Sequence, residues 1–299
     1  MDLTIRSDRE VLTIIRTYLE LAKLRIVLLL LFTTLTAMVI AAGGIPAVPI
    51  LIPTLIGGAL AAAGSSAINQ YLDRDLDAKM SRTARRPIPS GRIAPLNALL
   101  FGLALVAWSV LVLGVWVNWL SAALAFIGAI YYVVVYTMVL KRNTVVNIII
   151  GGGAGAMPVL VGWAAVAGEL SIESAILFAI IFYWTPPHSW ALALLVNVDY
   201  SRAGVPMMPV ARGERVTHIQ ILLYSIQLVL ITILPTPLQM LGIIYLLAAL
   251  ALGGGLLWMS IRLLRVADRA VARSLYKYST AYLAFLFLAM ILDQTLLGS

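Results

Sequence analysis

Apolar residues run along this chain in blocks long enough to cross a bilayer, each closed by a short polar stretch or by Gly and Pro. A transmembrane helix needs roughly 20 mostly apolar residues. Nine runs meet that length, approximately Arg16–Ala42, Pro46–Ile68, Pro95–Trp116, Asn118–Val139, Val146–Ala167, Ser171–Val196, Thr217–Leu234, Leu238–Arg262 and Ser274–Leu296. The pattern predicts an all-α, polytopic membrane protein whose nine transmembrane helices form one domain over residues 1–299.

Charge then fixes the expected orientation. Nine crossings put the N-terminus and the loops Asn69–Ala94, Leu140–Val145, Asn197–Val216 and Leu263–Arg273, with their flanking helix ends, on one side. These regions hold five, six, two, three and five Lys/Arg residues, all 21 in the chain. The positive-inside rule therefore predicts a cytoplasmic N-terminus and an external C-terminus in the plasma membrane. It also accounts for the net charge of +8 without a nucleic-acid partner. Composition agrees: 62% of residues are hydrophobic, 11% are charged and the mean hydropathy is +1.00, far too apolar for a soluble domain. With no cysteine, thiolate metal sites and cysteine nucleophiles are excluded, and two histidines, His188 and His218, are too few for a histidine-rich metal centre. The opening MDLTIRSDRE carries acids and no apolar core, unlike a signal or transit peptide.

Candidate chemistry gathers on the basic side. The second run leads into NQYLDRDLDAKMSRTARRP. On a continuous helix Asn69, Asp73 and Asp77 would drift only about 80° and span roughly 12 Å, so all three share a face. Two carboxylates and an amide oxygen suit Mg²⁺, which fills its shell with water and phosphate oxygens. Asp75 points elsewhere. The alternative is a solvated helix end balanced by Arg74 and Lys79. Arg82 and Arg86 follow closely, as phosphate-binding guanidiniums or as anchors on the basic side, and Pro87 and Pro89 are expected to end the helix. Lys141 and Arg142 stand at the mouth of the fifth run, ahead of Asn147. Glycines 151, 152, 153 and 155 there serve either close helix packing or room for a bulky ligand.

In the sixth run, Pro186 and Pro187 are expected to interrupt the hydrogen-bond ladder just before His188. An intramembrane histidine invites a functional reading, the alternative being pairing with a carbonyl freed by the prolines. Asp199 with Asn197 forms a possible second metal pole, and Arg202 follows. Trp184, Trp190, Tyr131, Tyr132 and Tyr136 offer π faces to a cation or make up an interfacial belt.

The Asn69, Asp73, Asp77 triplet on a basic-inside, nine-helix chain resembles the UbiA-type intramembrane prenyltransferases over nearly its whole length. The strings NQYLDRDLDAKMSRTARRPIPSGRI, LKRNTVVNIIIGGGAGAMPVLVGWAA and WTPPHSWALALLVNVDYSRAGVPMMPV look like the heme-farnesylating branch. The last is the most specific, because quinone-type relatives lack the Pro186, Pro187, His188 block. The resemblance implies transfer of farnesyl from farnesyl diphosphate to a vinyl group of protoheme (heme B), with water adding to give heme O. It further implies an intramembrane cavity open to the cytoplasmic side and Mg²⁺ on Asn69, Asp73, Asp77 and Asp199. Substrates would be held by Arg82, Arg86, Lys141, Arg142, Asn147, His188 and Arg202. Heme A synthase or heme-copper oxidase assembly would lie downstream. Val198 departs from the pattern: relatives commonly carry an acid there, so the second metal pole is thinner.

Three other readings remain at this point, one of them a non-catalytic assembly factor for a heme enzyme, which would need no Asp-rich metal face. The same scaffold could prenylate an aromatic acid or a chlorin, against which the WTPPH block argues. A transporter would also bury charges, but here the acids cluster at one membrane face and the hydropathy pattern shows no inverted repeat.

Overall fold

The first long apolar run is entered through a break. In the computed structural model, which describes residues 2–296 and side-chain surroundings from residue 11 onward, the expected single helix Arg16–Ala42 is two. Helix α1 (Asp2–Ala22) and helix α2 (Leu24–Ala41) meet at Lys23, whose backbone is left-handed at φ 50 and ψ 53. That conformation costs an L-residue roughly 1–2 kcal/mol, so surrounding structure must hold it. Arg16 to Ala22 thus stay outside the crossing, on a helix that mixes charged with apolar positions.

The chain continues as α3 (Val48–Leu72), α4 (Arg74–Lys79), α5 (Pro95–Trp116), α6 (Trp119–Ile130) with a π-helical continuation (Tyr131–Leu140), α7 (Asn147–Ala167), α8 (Ile172–Leu195), α9 (Asn197–Ala203), α10 (Met208–Arg212), α11 (Glu214–Ile233), α12 (Ile243–Val266) and α13 (Arg269–Leu296). Eight of the described helices are long and apolar enough to cross a membrane alone, counting α6 with its π end. Taken with α9, which turns away from it by 86°, α8 gives a ninth candidate crossing. Residues 1 and 297–299, where the two chain ends were expected on opposite sides, lie outside the described residues.

Two further sequence expectations need correction. α3 stops at Leu72, and Asp73 (φ −91, ψ 6) is a joint before α4, so the Asn69–Asp77 stretch is not one regular helix. The helical bonds nevertheless pass through the joint, Asp73 N donating to Asn69 O at 2.9 Å and Asp77 N to Asp73 O at 2.7 Å. α4 then ends at Lys79, before Pro87 rather than at it. In α8 the opposite holds: the helix runs unbroken through Pro186 and Pro187, because apolar packing on both sides outweighs two missing N–H donors.

Close contacts between small residues knit the bundle. A Cβ on Gly64 of α3 would lie 2.6 Å from the Gly102 carbonyl of α5, and one on Gly162 of α7 would lie 2.4 Å from the Thr34 carbonyl of α2. Ser109 of α5 donates to the Gly57 carbonyl of α3 at 2.7 Å. On the other side Trp190, Tyr245, Tyr282 and Phe287 fill the core between α8, α12 and α13. Because successive crossings alternate in direction, the start of α2, the end of α3, the π-helical end, the start of α7 and the end of α8 gather at one end of the bundle, the basic one.

Candidate active site at the basic end of the bundle

Asn69, Asp73 and Asp77 are 3%, 0% and 2% exposed, although all three sit where the chain leaves the apolar run. Burying carboxylates requires partners, and each has them. Asn69 Nδ2 donates to Asp73 Oδ2 at 2.8 Å and to Thr137 Oγ1 at 3.1 Å, and its Oδ1 accepts from Lys23 Nζ at 3.3 Å. Asp73 pairs with Lys141 and lies 3.6 Å from Arg142. Asp77 takes both its bonds from Arg86 Nη1, at 2.8 and 2.7 Å. Asp75 turns outward, its side chain 54% exposed, and receives a two-pronged bond from Arg142 at 2.9 Å on each oxygen. That guanidinium holds the Asp75 carboxyl below its usual range, and Asp75 in turn raises Arg142.

Several of these partners leave no mark in a sequence pattern. Lys23 had only its position at the head of an apolar run to single it out. Its half-buried amine is pushed down to about 7, first by desolvation and then by the nearby charges of Arg86 and Lys141. Thr137 reaches Asn69 because the segment from Tyr131 to Leu140 is π-helical, with Lys141 N bonded to the Tyr136 carbonyl five residues back. The wider turn also stacks Tyr132 on Tyr136, ring centroids 5.7 Å apart. π-Helical turns are uncommon and cluster at functional sites.

The glycines of α7 answer both of their readings. A Cβ at Gly151 would strike the Tyr136 ring at 2.3 Å, and one at Gly153 would crowd Tyr131, whereas Gly155 has open space beside it. That space is a partly open apolar cavity of about 200 Å³ between α2, α3, α6 and α7. Lys23, Ser66 and Tyr132 line its basic end, and Thr34, Gly58 and Val161 lie deeper. Along α2 the distance from Lys23 to Thr34 is eleven residues, about 16 Å.

The remaining candidates fall around this centre. Asn147 is buried, Nδ2 on the Lys141 carbonyl at 3.5 Å and Oδ1 without a partner. Arg82 is exposed on the segment after α4. Asp199 is held by the Ser81 hydroxyl at 2.9 and 2.8 Å and lies 3.8 Å from Arg202, and the neighbouring Asn197 Oδ1 is buried and unpaired. Asp199 therefore does not join Asp73 and Asp77: among the described residues no three His, Cys, Asp or Glu side chains gather as a metal cluster. His188 stands apart, on α8 against α13, and uses Ser279 rather than a carbonyl freed by the prolines.

The donor set of the main pole is oxygen only, and Asp73 Oδ1 is buried without a hydrogen bond. Two carboxylates and an amide with a spare buried acceptor fit a hard divalent cation that brings water and phosphate oxygens of its own. The surrounding cations fit a phosphorylated ligand.

Comparison with known proteins follows the same lines. The UbiA prenyltransferase family profile matches residues 30–291. A protoheme IX farnesyltransferase from Roseiflexus castenholzii is 50% identical over 282 residues, covering 94% of this chain and 53% of the relative. The chain thus spans about half the length of that protein, as it does for the relative of the same name from Chloroflexus aurantiacus, of which it covers 50%. One from Symbiobacterium thermophilum is 51% identical, with 94% and 95% covered. Among solved structures, a digeranylgeranylglyceryl phosphate synthase superposes with TM-score 0.78 at 20% identity, covering 94% of this chain and 98% of that one. A UbiA homolog from Archaeoglobus fulgidus bound to DMAPP and Mg²⁺ gives 0.64 at 17% identity, covering 92% and 99%.

Proposed function

Because the chain belongs to the UbiA prenyltransferase family, we propose that it transfers the farnesyl group of farnesyl diphosphate to a vinyl carbon of protoheme IX, yielding heme O and diphosphate. The observation that carries the transfer is the buried Asn69, Asp73, Asp77 triad faced by Lys141, Arg86 and Lys23 at the head of an apolar cavity. The acceptor is taken from the relatives' name and from the Pro186, Pro187, His188 block.

Asn69, Asp73 and Asp77 would hold Mg²⁺, which when bound neutralises charge on the leaving diphosphate. Asn197 and Asp199 would offer an amide oxygen and one carboxylate to a second ion, too few without the substrate's own phosphate oxygens. Lys141 and Arg86 already stand at the carboxylates, and with Arg82 and Lys23 they receive the diphosphate as the allylic C–O bond breaks and both electrons leave with oxygen. The farnesyl chain lies in the cavity lined by Lys23, Tyr132, Gly58 and Thr34. Tyr132 and Tyr136 turn π faces toward the cationic carbon, and the apolar walls keep water from it. The vinyl terminus attacks that carbon, forming the C–C bond. Water then adds to the benzylic-type cation on the porphyrin and loses a proton. Arg202, exposed at the rim, pairs a heme propionate, a role shared with Arg142. The basic end faces the cytoplasm.

Purified protein given farnesyl diphosphate, Mg²⁺ and protoheme should release diphosphate only when protoheme is present. Release that depends instead on an aromatic acid or a chlorin would move the acceptor to that class.

A further inference from the structure

His188 is held in a way that a packing residue does not require. Its ring lies between Trp184, stacked at 4.3 Å and 20°, and Tyr276, at 4.8 Å and 32°. Its Nδ1 is 2.8 Å from Ser279 Oγ. Ser279 Oγ is also 2.9 Å from the Tyr276 carbonyl, in donor geometry, and the Ser279 carbonyl takes the Trp184 indole N–H at 2.6 Å. One turn of α13 therefore fixes both rings of the α8 pair.

The hydroxyl has one proton, and this decides the tautomer. If Ser279 donates to the Tyr276 carbonyl, it must accept from His188, so Nδ1 carries hydrogen and Nε2 a lone pair. Both bonds are then made. If Ser279 donates to Nδ1 instead, the carbonyl contact is lost and Nε2–H becomes a donor with no acceptor in an apolar bundle, one bond fewer and one orphan more. The first arrangement is favoured. Nε2 has no hydrogen-bond partner among the described residues, and the residue is half-buried. Its lone pair is left unused by the protein. A neutral imidazole whose other nitrogen donates to a fixed acceptor is the form in which histidine ligates metals.

Resting on the heme reading above, we propose that Ser279 is a positioning residue: it locks His188 as the Nδ1–H tautomer so that Nε2 binds the iron of the metalloporphyrin acceptor. Axial ligation would hold the porphyrin plane against α8 and α13.

The test titrates ferric protoheme into the full-length detergent-purified protein and reads the Soret and visible bands. Wild type should give an imidazole-ligated spectrum, and His188→Ala should lose it and regain it with added imidazole. Ser279→Ala should bind about tenfold more weakly, the lower end of what removing a ligand's hydrogen-bonded partner costs, while Ser279→Thr, which keeps a hydroxyl, should restore the affinity. Unchanged Mg²⁺-dependent binding of farnesyl diphosphate in each variant shows that the fold is intact. A wild-type spectrum with imidazole ligation that His188→Ala leaves unaltered, or equal affinity in Ser279→Ala and wild type, overturns this proposal and leaves the transfer reaction standing. Absence of any heme binding by wild type overturns the heme reading itself. If Ser279→Ala does not fold, failure of imidazole to rescue His188→Ala decides against ligation.

Discussion

Asp73 and Asp77 differ from Asp75 by burial and by partner, and the three should separate in assay. Asp73→Ala or Asp77→Ala removes a proposed metal oxygen and strands Lys141 or Arg86. Turnover should fall by about 10²–10³-fold or more, with expression and insertion unchanged. Asp75→Ala frees Arg142 from an exposed pair, an interaction of small worth, and should cost less than about tenfold. Equal damage from all three would mean that the joint at Asp73 does not orient them as described. Lys23 separates stability from function. Its left-handed backbone costs roughly 1–2 kcal/mol, which Lys23→Gly would relieve at a smaller entropic cost. That variant should gain about 0.5 kcal/mol in stability while losing affinity for farnesyl diphosphate, and a variant improved in both would remove Lys23 from the site.

At the scale of elements, the crossings were legible because length and apolarity are local properties, and the acid triplet because i, i+4 spacing survives a mild joint. What escaped was set by tertiary contact. The Lys23 break, the π-helical turns that bring Thr137 to Asn69, and the unbroken passage of α8 through two prolines all depend on neighbours that no single stretch reveals. Asp293 is another case. From α13 it accepts the backbone N–H of Gly242 and that of Tyr245, the latter at 3.1 Å, capping α12 from a distance of fifty-one residues. Asp293→Ala leaves those donors buried and should lower thermal stability by about 2 kcal/mol, a change that activity per folded molecule should not follow. On α3, a Cβ at Gly58 would sit 3.4 Å from Leu31, so Gly58→Leu must fill the deep end of the cavity. Steady-state kinetics should show kcat/KM for farnesyl diphosphate falling by about tenfold or more and that for dimethylallyl diphosphate holding. Equal losses for both would place the chain elsewhere.

Across the whole molecule, the nine-crossing path that the sequence predicts puts all 21 basic residues on one side, and the proposed site lies at that end. Reporters inserted near Arg86, Arg212 and Arg269 should read as cytoplasmic, and those between Ala167 and Ser171 or after Ser299 as external; the reverse pattern would turn the site to the outer face. The acceptor is the claim on which the account turns, since metal and diphosphate groups serve any prenyl donor. It is tested most directly by the mass of heme extracted from cells that make this protein, set against cells that make Asp73→Ala. The account predicts a hydroxyethylfarnesyl heme in the first and only protoheme in the second. Unmodified protoheme in both, with farnesyl diphosphate consumed by the wild-type protein alone, would contradict it.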